Sequence, residues 1–214
     1  VTIIRRGHDV GTFAVDKVDD NRLAELMVGH HVNMKLAKKP VELGKEVLKV
    51  DNLKVKNSHG AYSVKNLSLN IRGGEILGLA GIDGNGQDEL VEAITGLRHV
   101  NSGKVFINGK NMTNKKVRQI TEAGVAHIPA DRQKYGLILS LPLAENLVLQ
   151  TYYQKPYSKH GIINHQAIYD HAEKLIKKYD IRTTSAELPA SDLSGGNQQK
   201  AIIARELDRD SDLI

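Results

Sequence analysis

Several residue types and patterns are absent or scarce in this chain, and each absence excludes a kind of protein. No cysteine occurs among the 214 residues, so neither a disulfide framework nor a thiolate metal site is possible. With no tryptophan and two phenylalanines, little aromatic surface is available for stacking on bases. No apolar run is long enough to cross a bilayer, and the N-terminus lacks a signal-peptide pattern. The chain starts at Val1 and not at a methionine, so we expect a fragment.

The charge balance is basic, but the basic residues are spread along the chain. A net charge of +5 and a pI of about 9.2 are typical of proteins that bind nucleic acids or membrane surfaces. The lysine pairs 38–39, 115–116 and 177–178, however, lie far apart in sequence. We therefore interpret the charge as a solvated surface and predict no nucleic-acid partner.

Three zones follow one another along the chain. Residues 1–30 predict two short strands before Gly11 and then a helix, Asn21–Val28, with Leu23, Leu26 and Met27 on one face. Residues 31–46 have no sustained period and include a proline and a glycine, which is typical of a linker. Residues 47–214 have the patterning of a folded α/β unit.

The α/β unit alternates apolar strands with amphipathic helices, which predicts a largely parallel sheet. A hairpin is predicted at Asn108–Gly109, because this pair favours the tight turn between two strands. Asn114 is the expected N-cap of a helix at Lys115–Ala123. The other predicted elements are strands at Val64–Ile71, Glu75–Ala80 and Val125–Ile128, and helices at Asp88–Thr95, Lys115–Ala123 and Asn164–Tyr179. The last of these helices has Ile168, Ala172, Leu175 and Ile176 on its apolar face.

A glycine-rich turn follows the apolar segment 75–80, and it has the glycine spacing of a phosphate-binding loop, G-x-x-x-x-G-K-[ST]. Glycines allow the backbone to curl and to direct N–H groups at phosphate oxygens, and the helix that follows adds its positive end. An ordinary structural turn is the alternative. The candidate nucleotide-binding residues are Gly81, Asp83, Gly84, Asn85, Gly86, Gln87, Asp88 and Glu89.

A second motif, LSGGNQQK, begins at residue 193 and resembles the signature of the ABC transporter family. Ser194 is a good helix N-cap, with Ala201, Ile202 and Leu207 on the expected buried face. Taken alone it is an ordinary capped helix, but after a phosphate loop it indicates an ABC cassette. The resemblance implies an α/β P-loop cassette with an α-helical subdomain that carries the signature. The candidate signature residues are Leu193, Ser194, Gly195, Gly196, Asn197 and Gln198.

The resemblance extends over nearly the whole chain, through NIRGGEILGLAG, HIPADRQKYGLILSLPLAENLVL and LSGGNQQKAIIAREL. These segments look like the second cassette of tandem-cassette ATPases that drive sugar and nucleoside importers. The catalytic carboxylates of such a cassette would lie beyond Ile214, so no catalytic residue is assigned. The implied organisation is 1–30, tail of a first cassette; 31–46, linker; 47–135, α/β core; 136–200, helical subdomain; and 201–214, signature helix and start of the Walker B strand.

The phosphate loop departs from the family pattern at its chemically important positions. Gln87 replaces the lysine that reaches the phosphates, Asp88 replaces the hydroxyl that holds Mg²⁺, and Ala130 replaces a glutamine. Loss of a charged phosphate contact typically costs about 2–5 kcal/mol. Asp88 remains a possible Mg²⁺ ligand, but we expect weak ATP binding here and little activity from the chain alone. At the place of the usual adenine-stacking aromatic the chain has Ser58 or His59, and Tyr62 could substitute only if the loop shifts.

The signature motif is nearly intact, and in ABC dimers it completes the ATP site of the partner cassette. The resemblance therefore implies an ATP- and Mg²⁺-dependent ATPase on the cytoplasmic face of the membrane. Its implied partners are a first cassette of the same chain, permease subunits and, indirectly, an extracellular binding protein. Sugars and nucleosides are the expected substrates, with GIDGNGQDE favouring nucleosides. The alternative is a non-hydrolysing scaffold cassette, in a transporter or in a soluble ABC protein. Asp131–Arg132 is interpreted as an internal ion pair or loop lock.

Overall fold

The computed structural model describes residues 1–5, 7–31 and 40–214, in two units, Val1–Glu42 and Leu43–Ile214. Arg6, in the predicted first turn, and residues 32–39 of the predicted linker lie outside the described residues. None of the helices in these ranges is both long enough and apolar enough to span a bilayer.

The first unit contains the predicted hairpin and helix. Asp19 caps the helix by accepting a hydrogen bond from the backbone N–H three residues on, and Gly29 ends it with a φ of 93°. Leu23 and Leu26 are half-buried, but Met27 is 58% exposed, so the predicted apolar face is only partly used. Its elements are β1 (Thr2–Arg5), β2 (His8–Thr12) and α1 (Asp20–Val28).

The sheet of the second unit is antiparallel, so the prediction of a largely parallel sheet is wrong. Its four strands lie in the order β4 (Tyr62–Arg72), β3 (Glu46–Lys56), β5 (Ser102–Ile107) and β6 (Lys110–Asn111). Among the described residues, the single parallel contact is an isolated bridge between Val125 and Leu213. The strand predicted at Val125–Ile128 is reduced to this bridge. The hairpin at Asn108–Gly109 is confirmed, with φ of 50° and 73°.

The segment Glu75–Ala80 is not a strand, which corrects another prediction. An apolar run becomes a strand only when neighbouring backbone completes its hydrogen bonds, and no described residue pairs with this one in a ladder. Ile76 is 81% exposed and Leu79 is 52% exposed. Leu77 and Leu79 also line an apolar cavity of about 290 Å³ beside the sheet.

Two helices pack near this sheet. The helix α2 (Gln87–Thr95) ends at Gly96 with a φ of 80°, as predicted. The helix α3 (Val117–Glu122) is shorter than predicted, because Asn114 does not cap it. The Asn114 side chain instead accepts a hydrogen bond from Val100 N at 2.7 Å and donates one to Val100 O at 3.0 Å.

The remaining helices share a second core. In α5 the buried residues Ile168, Ala172 and Leu175 are those of the predicted apolar face. In α6 residues 201 and 202 are buried as predicted, whereas Leu207 is 42% exposed. These elements are α4 (Leu143–Leu147), β7 (Ser158–Lys159), β8 (Ile162–Ile163), α5 (His165–Lys178) and α6 (Gly195–Leu207).

A buried asparagine fixes the segment that precedes α4. Asn146 is 1% exposed; its Oδ1 accepts from Ile138 N at 2.8 Å, and its Nδ2 donates to the carbonyls of Ile138, Leu141 and Pro142. Asn146→Ala would leave the N–H of Ile138 without an acceptor and remove the bonds from Nδ2, although each of the three carbonyls keeps a backbone donor. We expect the free energy of unfolding to fall by about 2 kcal/mol. Urea denaturation measures the change. Exposed Asn70→Ala is the control, and equal losses for the two variants would contradict the prediction.

Candidate functional site

The glycine-rich loop joins the extended segment 75–80 to the start of α2. Gly84 and Gly86 have φ of 80° and 100°, the left-handed region that glycine adopts without strain. A Cβ on Gly86 would also lie 2.7 Å from Ser63 O, so no side chain fits there. Residues 81–85 are exposed, and their backbone is open to a ligand.

The side chain of Gln87 folds back across this loop. Its Nε2 donates a hydrogen bond to Ile82 O at 3.3 Å, and a Cβ on Gly81 would overlap the same nitrogen. A neutral amide therefore lies across the loop, where the family pattern has an ammonium group. A phosphate that enters between Gly81 and Gln87 has to displace this amide.

Two carboxylates occupy the first turn of α2. Asp88 is exposed and Glu89 is partly exposed, and both lie where negative charge stabilises a helix start. In the ranges that the structure describes, no cluster of three or more His, Asp or Glu side chains is arranged to hold a metal. Mg²⁺ commonly takes one or two carboxylates together with substrate phosphates, so Asp88 fits as a single protein ligand.

A cavity of about 250 Å³ lies beside the loop, between it and β4. Lys65, an exposed residue of β4, lines this cavity together with Asn85 and Gln87. Sequence reasoning missed Lys65, although the two-residue period of β4 places it on the same face as Ser63. No residue of the signature motif lines this cavity. Tyr62 is 44% exposed, and Lys56 Nζ lies 5.1 Å from its ring centroid.

The signature motif begins α6, with Ser194 at the N-cap position. Its hydroxyl makes no capping bond to the helix. The hydroxyl accepts a hydrogen bond from Asn197 Nδ2 at 2.9 Å. The backbone N–H of Arg182 donates to Asn197 Oδ1, and this fixes the orientation of the Asn197 amide. Leu193 and Gln198 are buried, and Gln198 Nε2 donates to Ala190 O at 3.0 Å. These two residues hold the motif in place from within the chain.

The two signature glycines have different surroundings. A Cβ on Gly195 would lie 2.7 Å from Arg132 Nη2, whereas a Cβ on Gly196 would meet nothing within 4 Å. Arg132 Nε is shielded from solvent and has no hydrogen-bond partner among the described residues. Asp131 forms the predicted loop lock and not an ion pair, because its Oδ1 accepts from the backbone N–H groups of residues 133 and 134 at 3.0 Å. The exposed Ala130 precedes this lock.

Four aromatic side chains of the helical part, Tyr152, Tyr153, Tyr157 and His171, contact one another in pairs. Tyr157 and His171 have ring centroids 5.3 Å apart, and burial lowers the pKa of the His171 imidazole. The rings of Tyr152 and Tyr153 meet edge to face at 5.7 Å. His165 begins α5.

The family follows from residues 64–214, which match the ABC transporter family profile. This match covers more than half of the chain, so the chain belongs to the ABC transporter family.

The relatives include import ATP-binding proteins. The chain is 49% identical over 214 residues to the guanosine import ATP-binding protein NupO of Bacillus subtilis (strain 168), covering 100% of this chain and 42% of that protein. It is 48% identical over 214 residues to the nucleoside import ATP-binding protein NupA of Lactococcus lactis subsp. cremoris (strain MG1363), with the same coverage. A glucose import ATP-binding protein, TsgD13 of Haloferax volcanii, is 36% identical over 216 residues, covering 100% of this chain and 39% of that protein. The chain thus spans less than half the length of these curated relatives.

Solved structures have the same fold. A nucleotide-free ATP-binding cassette from an ABC transporter superposes with a TM-score of 0.61 at 22% identity, over 76% of this chain and 65% of that one. The dimeric MJ0796, a bacterial ABC transporter cassette, superposes with a TM-score of 0.60 at 24% identity, over 77% and 70%. The predicted ABC cassette fold is confirmed.

Proposed function

We propose that this chain is the greater part of the second cassette of an ATP-binding, energy-coupling subunit of an importer, with nucleosides as the leading substrate class and simple sugars as the second. The observation that carries the proposal is the pairing, in one folded unit, of an open glycine-rich loop with a signature helix whose serine is exposed. The 49% identity to a guanosine import ATP-binding protein favours nucleosides. In this proposal residues 1–30 end a first cassette, and 31–46 link it to the second, 47–214.

The two motifs have different roles in this proposal. Ser194 and Gly195 serve an ATP held on the loop of the first cassette, while the loop Gly81–Gly86 holds a second ATP weakly. Gln87 supports the weak role, because its amide bonds to Ile82 O and brings no positive charge. Asp88 would hold Mg²⁺ together with the phosphates, and the metal would offset their negative charge.

Membrane association in this proposal comes through permease subunits. The subunit would lie on the cytoplasmic face of the membrane, with the extracellular binding protein acting only indirectly. Uptake of labelled guanosine and ribose by the full-length protein with its permease, reconstituted in proteoliposomes, tests the substrate class. If the reconstituted protein takes up neither guanosine nor ribose when ATP is supplied, the importer proposal is contradicted and the scaffold alternative is favoured.

Restoring the lysine and the hydroxyl tests the weak site. The double variant Gln87→Lys, Asp88→Ser supplies an ammonium for the phosphates and removes a carboxylate beside them. We expect the Kd for Mg-ATP to fall at least about tenfold, since a charged phosphate contact is commonly worth more than 1.4 kcal/mol. Isothermal titration measures the Kd. Gln166→Lys, which adds the same lysine at an exposed position of α5, should leave the Kd unchanged. Equal Kd values for the parent and the double variant would contradict the assignment.

A further inference from the structure

Asn197 has both ends of its side-chain amide occupied by partners within the chain. Arg182 N donates to Asn197 Oδ1 at 2.9 Å, and Asn197 Nδ2 lies 2.9 Å from Ser194 Oγ. A backbone N–H can only donate, so the oxygen of the amide has to face Arg182 and the NH₂ group has to face Ser194. The direction of the second hydrogen bond is thereby fixed: Asn197 donates and the serine accepts.

This direction determines what the serine hydroxyl can still do. A hydroxyl has one proton to donate and two acceptor positions, and Asn197 takes one of the acceptor positions. Ser194 makes no capping bond to α6 and, among the described residues, no other side-chain hydrogen bond. It is also exposed. Its proton is therefore free for an acceptor outside the cassette.

The amide is held on a well-anchored part of the chain. Arg182 follows Ile181, which is 4% exposed and packs in the core of the helical part. Asp180 accepts a hydrogen bond from Lys200 Nζ at 2.7 Å, which holds the pKa of the Asp180 carboxyl below its usual range. Asn197 and Lys200 lie about one turn apart on α6, so two links tie the segment that follows α5 to the start of the signature helix.

We propose that Asn197 is a positioning residue for the signature serine. By donating to Ser194 Oγ it directs the serine proton outward, toward the terminal phosphate of the ATP on the partner cassette. A phosphate oxygen accepts hydrogen bonds and donates none, so a serine aligned as a donor binds it without first rotating. This inference rests on the proposed role of Ser194 and adds the residue that orients it.

A double-mutant cycle on ATP turnover tests the proposal in the full-length protein, reconstituted with its permease. Asn197→Ala is expected to lower turnover about tenfold when Ser194 is present, and less than about twofold in a Ser194→Ala background. Asn197→Asp keeps the acceptor for Arg182 N but turns the serine proton inward, so it should lose at least as much as Asn197→Ala. Asp180→Asn is the control, because it weakens the link to Lys200 and leaves the serine untouched.

The outcomes separate this inference from the function on which it rests. Equal losses from Asn197→Ala in both backgrounds would mean that the residue acts through the stability of the loop, and would overturn the proposal. No loss in either background would also overturn it. If Ser194→Ala alone leaves turnover unchanged, the proposed role of the signature serine fails and the inference fails with it. A thermal unfolding midpoint for Asn197→Ala close to that of Asp180→Asn, with lower turnover, supports positioning.

Discussion

Replacing Glu206 by alanine is expected to lower the free energy of unfolding by about 3–5 kcal/mol. Glu206 is 0% exposed in the last turn of the signature helix, and its carboxylate accepts from Arg205 Nε at 2.9 Å and Arg209 Nη2 at 2.7 Å. It also accepts from Gln150 Nε2 at 2.9 Å and from His127 N at 3.3 Å. Without the carboxylate, two largely buried arginines lose the negative charge that they share, and a buried positive charge without its partner is costly.

Urea denaturation of the parent and the variant measures this loss. The control is Asp208→Ala, which breaks a 2.6 Å ion pair with Lys178, whose side chain is 62% exposed. That loss should stay below about 1 kcal/mol, because water screens an exposed pair. A loss of less than 1 kcal/mol for Glu206→Ala would mean that the two arginines find other partners, and would contradict the prediction.

The same region shows why sequence periodicity predicted only part of α6. The buried positions 201 and 202 follow the helical period and were predicted, as was the face of α5 around Ala172. Leu207 was expected inside, yet its neighbour Glu206 occupies the core. Two of the four partners of Glu206, Gln150 and His127, lie 56 and 79 residues earlier in the chain. No local pattern reveals a carboxylate whose burial depends on donors so far away.

In the strands and in the candidate site as well, the features set by neighbouring residues were predictable, and those set by residues distant in sequence were not. The hairpin at Asn108–Gly109 was predictable because two left-handed residues define the turn. The extended, unpaired conformation of segment 75–80 could not be predicted in the same way. A strand needs a partner strand, and the hydrophobicity of the segment does not show whether one is present. Spacing identified Gln87 as the residue in the lysine position, but not that its amide folds onto Ile82. Likewise, the motif identified Asn197 but not its contact with Arg182, 15 residues away.

Changing Gly195 to aspartate is expected to abolish ATP-driven uptake by the full-length transporter, while Gln87→Ala keeps most of it. A side chain at 195 meets the guanidinium of Arg132, the flexible end of a long side chain, so an aspartate can form an ion pair there and the cassette can fold. Its carboxylate then lies at the helix start that the proposal places against a partner's phosphate, where like charges repel by several kcal/mol. Gln87→Ala removes only a long hydrogen bond from a loop that already lacks its lysine.

Gly196→Ala sharpens this test, because the chain itself gives no reason for a glycine at that position. A Cβ there meets nothing within 4 Å, and alanine favours a helix over glycine by about 1 kcal/mol. The variant should therefore fold at least as stably as the parent, yet lose uptake if a partner cassette approaches this helix closely. Gly161→Asp adds a carboxylate in open space at the β7–β8 turn, where the φ of 81° is one that aspartate adopts more readily than most residues, and it should keep parental uptake. Uptake that survives Gly195→Asp and Gly196→Ala but not Gln87→Ala would reverse the proposed roles, making the loop at Gly81–Gly86 the working site.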